Sequence, residues 1–528
     1  MIRKPGRYID SEWNAIHKAR RQGMLKVALC FPDIYEIGMS HLGMKILYGA
    51  LNREKDVICE RVFAPWIDME KKMRDENIAL RSLEGRAALK DFDVVGFSLQ
   101  YEMSYVDVLN MLDLGGVPVF SKDRDDTHPI VIAGGPCAFN PEPMAEFIDA
   151  FVIGEAEEAL LEIVNIVRDK GQTTRDNVLG EIAKIKGVYV PAFSLQPSAF
   201  SINKRIIKDL DSSYFPTDII VPYIQIVHDR IGIEIMRGCP NKCKFCQACK
   251  IFHPLRIRSV KRIIEIAEES LASTGYEEIS LLSLSTGDYP HMEELVAKME
   301  ERFKGMGVKV SLPSLRAQSF KTQKDSTIVK RAGLTFAPET GSDRLRDTLN
   351  KNMTNQDIIQ KSTEALRSGW NKVKLYFMIG LPGEEQGDLD AIIDMVSQIK
   401  SVSLSISSFM PKPHSGFERE GMAGTEELIE KRRYLSSRLQ AIGSRRRMKV
   451  EFHGLEMSRV EAALSRGDRR TGKVIYAVWQ KGARLQAWNE YFDYKLWEEG
   501  FSECGVDPDG YLRKAKEGEL LPWEFIKS

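Results

Sequence analysis

Short apolar segments alternate with longer amphipathic ones along the first third of the sequence. Residues 37–51 carry apolar side chains at helical spacing, and they separate the first two of five short strand candidates. The first, at residues 24–30, is an apolar run typical of a buried parallel strand, and the others occupy residues 57–63, 93–99, 129–133 and 151–153. Strands joined by helical crossovers predict an α/β fold with a doubly wound, Rossmann-like sheet over residues 1–195.

A second alternation follows a polar, irregular connector at residues 196–225. Its six apolar runs predict a partial (β/α)6 barrel over residues 226–423, because eight units would need a longer chain. The predicted strands lie at residues 231–236, 279–284, 308–312, 335–337, 372–379 and 404–407. From residue 424 to 528 the pattern is helical and rich in Arg and Trp, which indicates a small C-terminal helical domain.

Composition narrows the class of protein. The 528 residues are 43% hydrophobic and 28% charged, which excludes disordered and fibrous classes. Lys plus Arg equals Asp plus Glu at 75 each, so no global field attracts nucleic acid or an anionic membrane. No apolar run approaches 18 residues and no signal peptide is evident, so we expect a cytoplasmic enzyme that does not contact the membrane.

The cysteines are the first sign of chemistry. Eight cysteines are too few for a disulfide scaffold, and half of them fall between positions 239 and 249. Cys239, Cys243 and Cys246 have the spacing C-x3-C-x2-C directly after a predicted strand. Three such thiolates can bind three irons of a 4Fe–4S cluster and leave the fourth iron open. The alternative is a zinc site of four thiolates that includes Cys249.

With these motifs the sequence resembles the radical S-adenosylmethionine (SAM) superfamily over residues 231–417. The resemblance implies that SAM binds the open iron and is reductively cleaved to a 5′-deoxyadenosyl radical, with a flavodoxin or ferredoxin as electron donor. Taken singly, Thr-Gly-Asp and Leu-Pro-Gly are typical of plain turns, and Glu339 is also consistent with a carboxylate at a helix N-terminus. Their joint order at strand ends favours the SAM interpretation. The implied SAM contacts are Phe245 near the adenine, Ser285, Thr286, Gly287 and Asp288 at the amino group, Ser314, Arg316 and Glu339 around the ribose and carboxylate, and Gly380, Pro382 and Gly383 in an adenine-contacting turn.

The N-terminal region resembles the cobalamin-binding domains that are fused to many radical SAM enzymes. The resemblance rests on Gly134 and Gly135, which would let the backbone approach a ligand tail, and on Ser98. The aspartate–x–histidine–x–x–glycine motif that supplies a cobalt ligand is absent around His41. We therefore expect cobalamin to bind between the two α/β domains without a histidine on cobalt, or the domain to have lost the cofactor.

Short motifs over nearly the whole chain resemble those of an uncharacterised fused family of this type. They lie at residues 4–8, 32–36, 246–248, 411–414 and 466–470. The predicted function is methyl transfer or radical modification of an unknown substrate. One alternative is a methylthiotransferase-like RNA-modifying enzyme with a second cluster on Cys30, Cys59 and Cys137. Another is a non-catalytic metal-binding or regulatory protein. Short basic runs at residues 444–449 and 466–470 give weak support for RNA as a partner.

Overall fold

The computed structural model describes residues 2–169, 171, 173–193, 201–313, 315, 326–331, 333–443 and 448–528. Short 3-10 helices punctuate the loops at Pro5–Tyr8, Leu89–Asp91, Glu102–Ser104, Ser121–Asp123, Pro136–Phe139, Glu142–Met144, Pro191–Phe193 and Thr286–Asp288.

The N-terminal domain is built on a six-stranded sheet with the order β2-β1-β3-β4-β5-β6, parallel except for the last strand. The strands are β1 (Leu25–Phe31), β2 (Val57–Phe63), β3 (Val94–Ser98), β4 (Ile130–Gly134), β5 (Ala150–Val152) and β6 (Val188–Tyr189). The helices are α1 (Tyr35–Gly38), α2 (Leu42–Arg53), α3 (Ile67–Asp75), α4 (Tyr105–Leu114), α5 (Ala156–Arg168) and α6 (Arg175–Ile182). The predicted doubly wound α/β fold is confirmed, since all five predicted strands are present.

A short bridge, β7 (Ile202–Asn203), leads into the second domain. Its strands are β8 (Ile231–Glu234), β9 (Met236–Arg237), β10 (Arg256–Ile257), β11 (Glu278–Leu282), β12 (Lys309–Ser311), β13 (Leu334–Glu339), β14 (Val373–Ile379), β15 (Val402–Ser408) and β16 (Lys449–Phe452). Its helices are α7 (Ala248–Ile251), α8 (Val260–Thr274), α9 (Met292–Phe303), α10 (Asp343–Thr348), α11 (Asn355–Arg367), α12 (Gln386–Ser397) and α13 (Thr425–Gly443). Over the described residues the strands form two parallel sheets, β12-β11-β8 and β13-β14-β15-β16, with an antiparallel β9–β10 pair beside them.

The second domain takes one strand from the region that was predicted to be helical. The helical interpretation of residues 424–528 is wrong for β16, which pairs in parallel with β15, while α13 packs on the same sheet. The sequence of β16, KVEF, is short and its side chains are partly or fully exposed, as at the edge of a sheet. Charged residues on an edge strand remove the apolar pattern by which a strand is recognised.

The remaining helices are α14 (Leu455–Ser465), α15 (Arg469–Gln480), α16 (Tyr494–Glu503) and α17 (Asp509–Leu512), followed by β17 (Ile526–Lys527), which pairs with β7. They do not form a core of their own. Val460 and Val474 belong to the same buried cluster as Val95 and Met103 of the N-terminal domain. The C-terminal helices therefore share a core with the N-terminal domain, where α15 packs on α4 and on the 3-10 helix Glu142–Met144.

Among the described residues, no helix combines the length and apolar character that crossing a bilayer requires.

Candidate functional site

The three predicted cluster cysteines lie on the loop that follows β9, and all three are partly exposed and free of disulfides. Neighbouring segments fix the backbone of this loop. The Lys244 amide donates to the carbonyl of Leu349 at 2.9 Å, and the Phe417 amide donates to the carbonyl of Lys244 at 3.0 Å. The Asn350 side chain donates to the carbonyl of Lys242 at 2.8 Å. The thiols of Cys239, Cys243 and Cys246 are thus presented by an ordered loop rather than by a strand.

Cys249 is placed differently. It lies in α7, and its thiol donates to the carbonyl of Cys246 at 3.0 Å. Burial raises the pKa of both the Cys246 and the Cys249 thiols. Within the described ranges, no three His, Cys, Asp or Glu side chains converge on a point that could hold one metal ion. In a 4Fe–4S cluster each thiolate binds its own iron, and three thiols on one loop are a donor set of that kind.

Asn241 joins this loop to the predicted amino-group segment. Its Nδ2 donates to Asp288 Oδ2 at 2.9 Å and lies 3.6 Å from Cys239 Sγ. Ser285 Oγ donates to the same carboxylate oxygen at 2.6 Å. Thr286 and Gly287 form the short 3-10 helix with Asp288, and the buried Thr286 hydroxyl bonds back to the carbonyl of Leu281. The structure thus brings Ser285 and Asp288 to the cysteine loop, while the Thr286 hydroxyl stabilises the turn.

Glu339 ends β13 with a left-handed φ of 69°, and it is buried. Its Oε1 pairs with Lys351 Nζ at 2.6 Å, and that ammonium lies 5.6 Å from the centre of the Phe245 ring. Phe245 also packs against the buried cluster that contains Leu381. Phe245, Glu339 and the turn at Leu381 are therefore neighbours. Sequence reasoning missed Lys351, since only the fold brings it to Glu339.

The turn at residues 380–383 contains Gly380 and Gly383 on either side of Leu381 and Pro382. Both glycines have a φ of 77°, a conformation that side chains disfavour. The Gly380 amide donates to Glu384 Oε2 at 2.8 Å, which fixes the turn. The other predicted contacts in this region, Ser314 and Arg316, lie outside the described residues.

A cavity of about 610 Å³ separates the two α/β domains. The N-terminal wall includes His41, Ser98, Gly134 and Gly135, and Arg237 lies on the barrel wall. Ligands of open parallel sheets bind at the carboxyl ends of the strands, and small-molecule sites commonly enclose 300–1,000 Å³. The cavity therefore has the position and the size of a cofactor or substrate site.

The two glycines of this wall have different roles. At Gly135, φ is 108° and an added Cβ would lie 2.5 Å from the carbonyl oxygen of Leu99, so the chain itself requires glycine there. At Gly134 the nearest atom to an added Cβ is 3.6 Å away. The protein's own contacts therefore do not require glycine at position 134, and close approach of a ligand to the backbone would explain a glycine there. Ser98 Oγ accepts a hydrogen bond from Gln100 Nε2 at 2.8 Å.

His41 caps the N-terminus of α2, where its Nδ1 accepts the Met44 amide at 3.2 Å. Burial lowers the pKa of this imidazole to about 4, while a side-chain hydrogen bond with Gln100 opposes the shift. The ring is therefore neutral at pH 7, and because Nδ1 accepts, we assign the proton to Nε2. Neither ring nitrogen then offers a lone pair to a metal.

Ion pairs between the two domains lie close to the cysteine loop. Arg237 bonds Glu234 of the barrel at 2.9 Å and Glu157 of the N-terminal domain at 2.7 Å. Glu155 pairs with Arg256 at 2.7 Å. These pairs align the barrel with the ligand edge of the N-terminal sheet.

Two weaker sequence hypotheses are not supported. Cys30 and Cys59 belong to buried clusters on opposite faces of the N-terminal sheet, and Cys137 is buried in a separate 3-10 helix, so the three do not form a second cluster site. Arg466 is buried and donates to backbone carbonyls, and Arg469 pairs with Glu142 at 2.7 Å. The run at residues 466–470 is thus largely a contact between domains, and residues 444–447 lie outside the described chain.

Comparison with known proteins gives family matches over both α/β domains. The family model "Radical SAM proteins, N-terminal" matches residues 43–191, and the model "Radical SAM superfamily" matches residues 233–396. The chain is 30% identical over 458 residues to the uncharacterised protein MJ0966 of Methanocaldococcus jannaschii. This alignment covers 85% of this chain and 90% of that protein. It is 26% identical to a tRNA-2-methylthio-N(6)-dimethylallyladenosine synthase of Geobacter sulfurreducens, over 46% of this chain and 56% of that protein.

Two solved structures share the fold. The radical SAM methyltransferase TsrM from Kitasatospora setae, with cobalamin and a [4Fe-4S] cluster bound, aligns at a TM-score of 0.55 and 14% identity over 75% of this chain and 77% of that one. The cobalamin-dependent SAM radical enzyme OxsB, with aqua-cobalamin and SAM bound, aligns at a TM-score of 0.51 and 13% identity over 91% of this chain and 71% of that one.

Proposed function

Because this chain belongs to the radical SAM superfamily, we propose that it is an enzyme that binds a 4Fe–4S cluster through Cys239, Cys243 and Cys246. The partly exposed loop and the Asn241 amide near the Cys239 sulfur support this assignment. Amide donors near cluster sulfurs are one of the ways in which a protein tunes such a centre.

We further propose that cobalamin binds in the cavity between the domains, and that the substrate is modified there by methyl transfer or by radical chemistry. The main observation in support is the cavity itself. The ligand edge of the N-terminal sheet forms one of its walls, and the cysteine loop begins at the opposite wall. TsrM and OxsB share the fold and are described with cobalamin bound. The structure fits a cobalamin without a histidine ligand, since the His41 nitrogens are both committed.

The residues of this chain have distinct roles in the proposal. A SAM-bound cluster supplies one-electron cleavage of a carbon–sulfur bond, and cobalamin supplies methyl transfer. Asp288, whose carboxylate accepts hydrogen bonds from Asn241 and Ser285, would accept a further hydrogen bond from the SAM amino group. Phe245 and Leu381 offer an apolar surface for the adenine. The Arg237 ion pairs hold the two domains in register, and such positioning is a large part of enzymatic rate enhancement. We propose a flavodoxin or ferredoxin as the electron donor.

Binding of cobalamin to the anaerobically purified protein tests the proposal. Gly134→Leu places a side chain on the cavity wall at a position with room for the Cβ, so we expect cobalamin affinity to fall by about tenfold or more. Gly180→Leu, in α6 of the same domain and away from the cavity, is the matched control. Wild-type protein should also form 5′-deoxyadenosine or methylated product from SAM. Absence of cobalamin uptake would overturn the cobalamin part, and absence of SAM cleavage with a full cluster would overturn the enzymatic part.

A further inference from the structure

One cation on the cavity wall has no partner that neutralises it. Lys45 follows His41 by one helical turn in α2, is partly buried, and lines the cavity. Within the described part of the chain, its ammonium makes no hydrogen bond or ion pair, and burial lowers its pKa to about 8. A buried charge without a partner is costly, so such a group is a candidate functional residue.

The other formally charged groups on the same wall are paired. Arg237 bonds Glu157 and Glu234, and Arg230 pairs with Glu278 at 3.3 Å. Glu155, the third carboxylate on the wall, pairs with Arg256. The charge at the Arg237 end of the cavity is therefore locally balanced, and the charge at Lys45 is not.

The surroundings of Lys45 do not supply the missing negative charge. Asp229 raises the pKa of Lys45 from a distance, but its own carboxylate accepts the Tyr276 hydroxyl at 2.7 Å. His228 lines the same wall, and burial together with Arg230 and Lys45 lowers its pKa. Lys45 also lies in the first turns of α2, where the helix dipole opposes a cation and favours an anion. An anion beside Lys45 would be stabilised by the ammonium and by the helix.

We propose that Lys45 binds an anionic oxygen group, a phosphate or a carboxylate, carried by the molecule that occupies the cavity. The inference rests on the proposed function in taking that cavity as the ligand site. Two sources fit this chemistry. The anion is either the phosphodiester in the nucleotide tail of cobalamin or an acidic group of the substrate.

Lys45→Met tests the proposal, because methionine keeps most of the length of the side chain and removes its charge. Lys55→Met, an exposed lysine just beyond the end of the same helix, is the matched control. The dissociation constants of cobalamin and of cobinamide, which lacks the phosphodiester and the nucleotide base, are measured for each protein. If the cofactor supplies the anion, Lys45→Met weakens cobalamin binding about tenfold or more and leaves cobinamide binding unchanged.

A second arm reports on a substrate anion. Thermal unfolding is followed in inorganic phosphate and in chloride at equal ionic strength, since a bound anion stabilises the folded state. If the substrate supplies the anion, phosphate raises the melting temperature of the wild type and of Lys55→Met but not of Lys45→Met, while both corrinoids bind normally. This arm remains decisive even if the wild type takes up no cobalamin. The proposal is overturned if Lys45→Met matches the wild type both in the corrinoid titrations and in the response of its melting temperature to phosphate, or if it weakens cobalamin and cobinamide equally.

Discussion

The N-terminal domain and the barrel loop each contain three cysteines, yet only the loop leaves all three partly exposed. Cys30 and Cys59 are strand residues packed into opposite faces of the N-terminal sheet, and burial raises the pKa of both thiols far above its usual range. Cys239 and Cys243 lie on a partly exposed loop whose backbone is fixed by neighbouring segments. The two sets of three thiols therefore differ in their ability to bind a metal, because a metal ligand needs a side chain that is not packed into a core.

His41 extends the comparison to nitrogen ligands. It lines the cavity, but its ring serves the backbone of α2 and the Gln100 side chain. In the described part of the N-terminal domain, the three cysteines and His41 are thus engaged in packing or capping. Five sets of variants test this contrast, beginning with those that should change the protein most.

Replacing any one of the loop cysteines should have the largest effect. Cys239→Ala, Cys243→Ala and Cys246→Ala should each reduce bound iron from about four per chain to nearly none and abolish SAM cleavage, because each thiolate binds its own iron. Iron and sulfide content and visible absorption of the anaerobically reconstituted proteins provide the measurement. A single variant that keeps a full cluster would remove that cysteine from the ligand set.

The next prediction concerns Glu339 in the barrel site. Glu339→Ala should weaken SAM binding by about 1–3 kcal/mol, the usual scale for removing one partner of a buried polar pair. It also leaves Lys351 buried without its carboxylate, so the protein should be less stable. Equilibrium binding and chemical denaturation measure the two effects. Glu364→Ala, from the more exposed pair with Lys361, is the control, and an unchanged SAM affinity would show that Glu339 contributes only to the fold.

The His41 imidazole should make stability depend on pH. Its pKa is lowered from 6.5 to about 4, so between these values the unfolded chain binds more protons than the folded one. Stability should therefore fall as pH drops from 6.5 towards 4, by up to about 3 kcal/mol from this group. His41→Asn, which can still cap α2, should lose less stability over that range, whereas His291→Asn at an exposed position should behave as the wild type.

The same variant addresses the metal. If His41 is not a ligand, the absorption spectrum of bound cobalamin should be the same in His41→Asn and in the wild type. A shifted cobalt spectrum would contradict the assignment of the ring proton to Nε2.

The N-terminal cysteines should affect packing only. Cys30→Ala, Cys59→Ala and Cys137→Ala should keep about four irons per chain and lose on the order of 1 kcal/mol of stability through small core cavities. Iron analysis beside chemical denaturation separates the two quantities. An iron content near eight in the wild type, lowered by these substitutions, would instead establish a second cluster.

Cys249→Ala should have the smallest effect. Its thiol bonds a backbone carbonyl in α7, so iron content and SAM cleavage should both remain at wild-type levels. Loss of the cluster in this variant would restore the four-thiolate interpretation.

Much of the fold could be predicted from the sequence, because buried parallel strands are apolar on both faces. The strands β3 to β5 and most of β1 are of this kind, whereas β2 contains the buried Glu60 and Arg61. The edge strand β16 and the attachment of α14 to α16 were missed, since β16 lacks that pattern and a helix face does not reveal which part of the chain it packs on.

The site was predictable only as far as local motifs reach. The cysteine spacing and the glycine pair are sequence features, and so is Asn241, which lies inside the cysteine motif and could have been singled out. The importance of Lys351 and Lys45 becomes visible only in the folded structure. One pairs with a strand-end glutamate 12 residues away, and the other faces a cavity that exists only between two domains.

The shared core of the first and last parts of the chain has a consequence for biosynthesis. Val460, Val474 and Trp497 belong to the same buried cluster as α4 of the N-terminal domain, and they follow the whole barrel in the chain. During translation α4 lacks this part of its apolar packing until α14 to α16 emerge, so the N-terminal domain cannot complete its core as an independent early unit. Any corrinoid that needs the finished cavity must therefore be loaded after synthesis of the barrel, and an excised N-terminal fragment is expected to aggregate rather than to bind it.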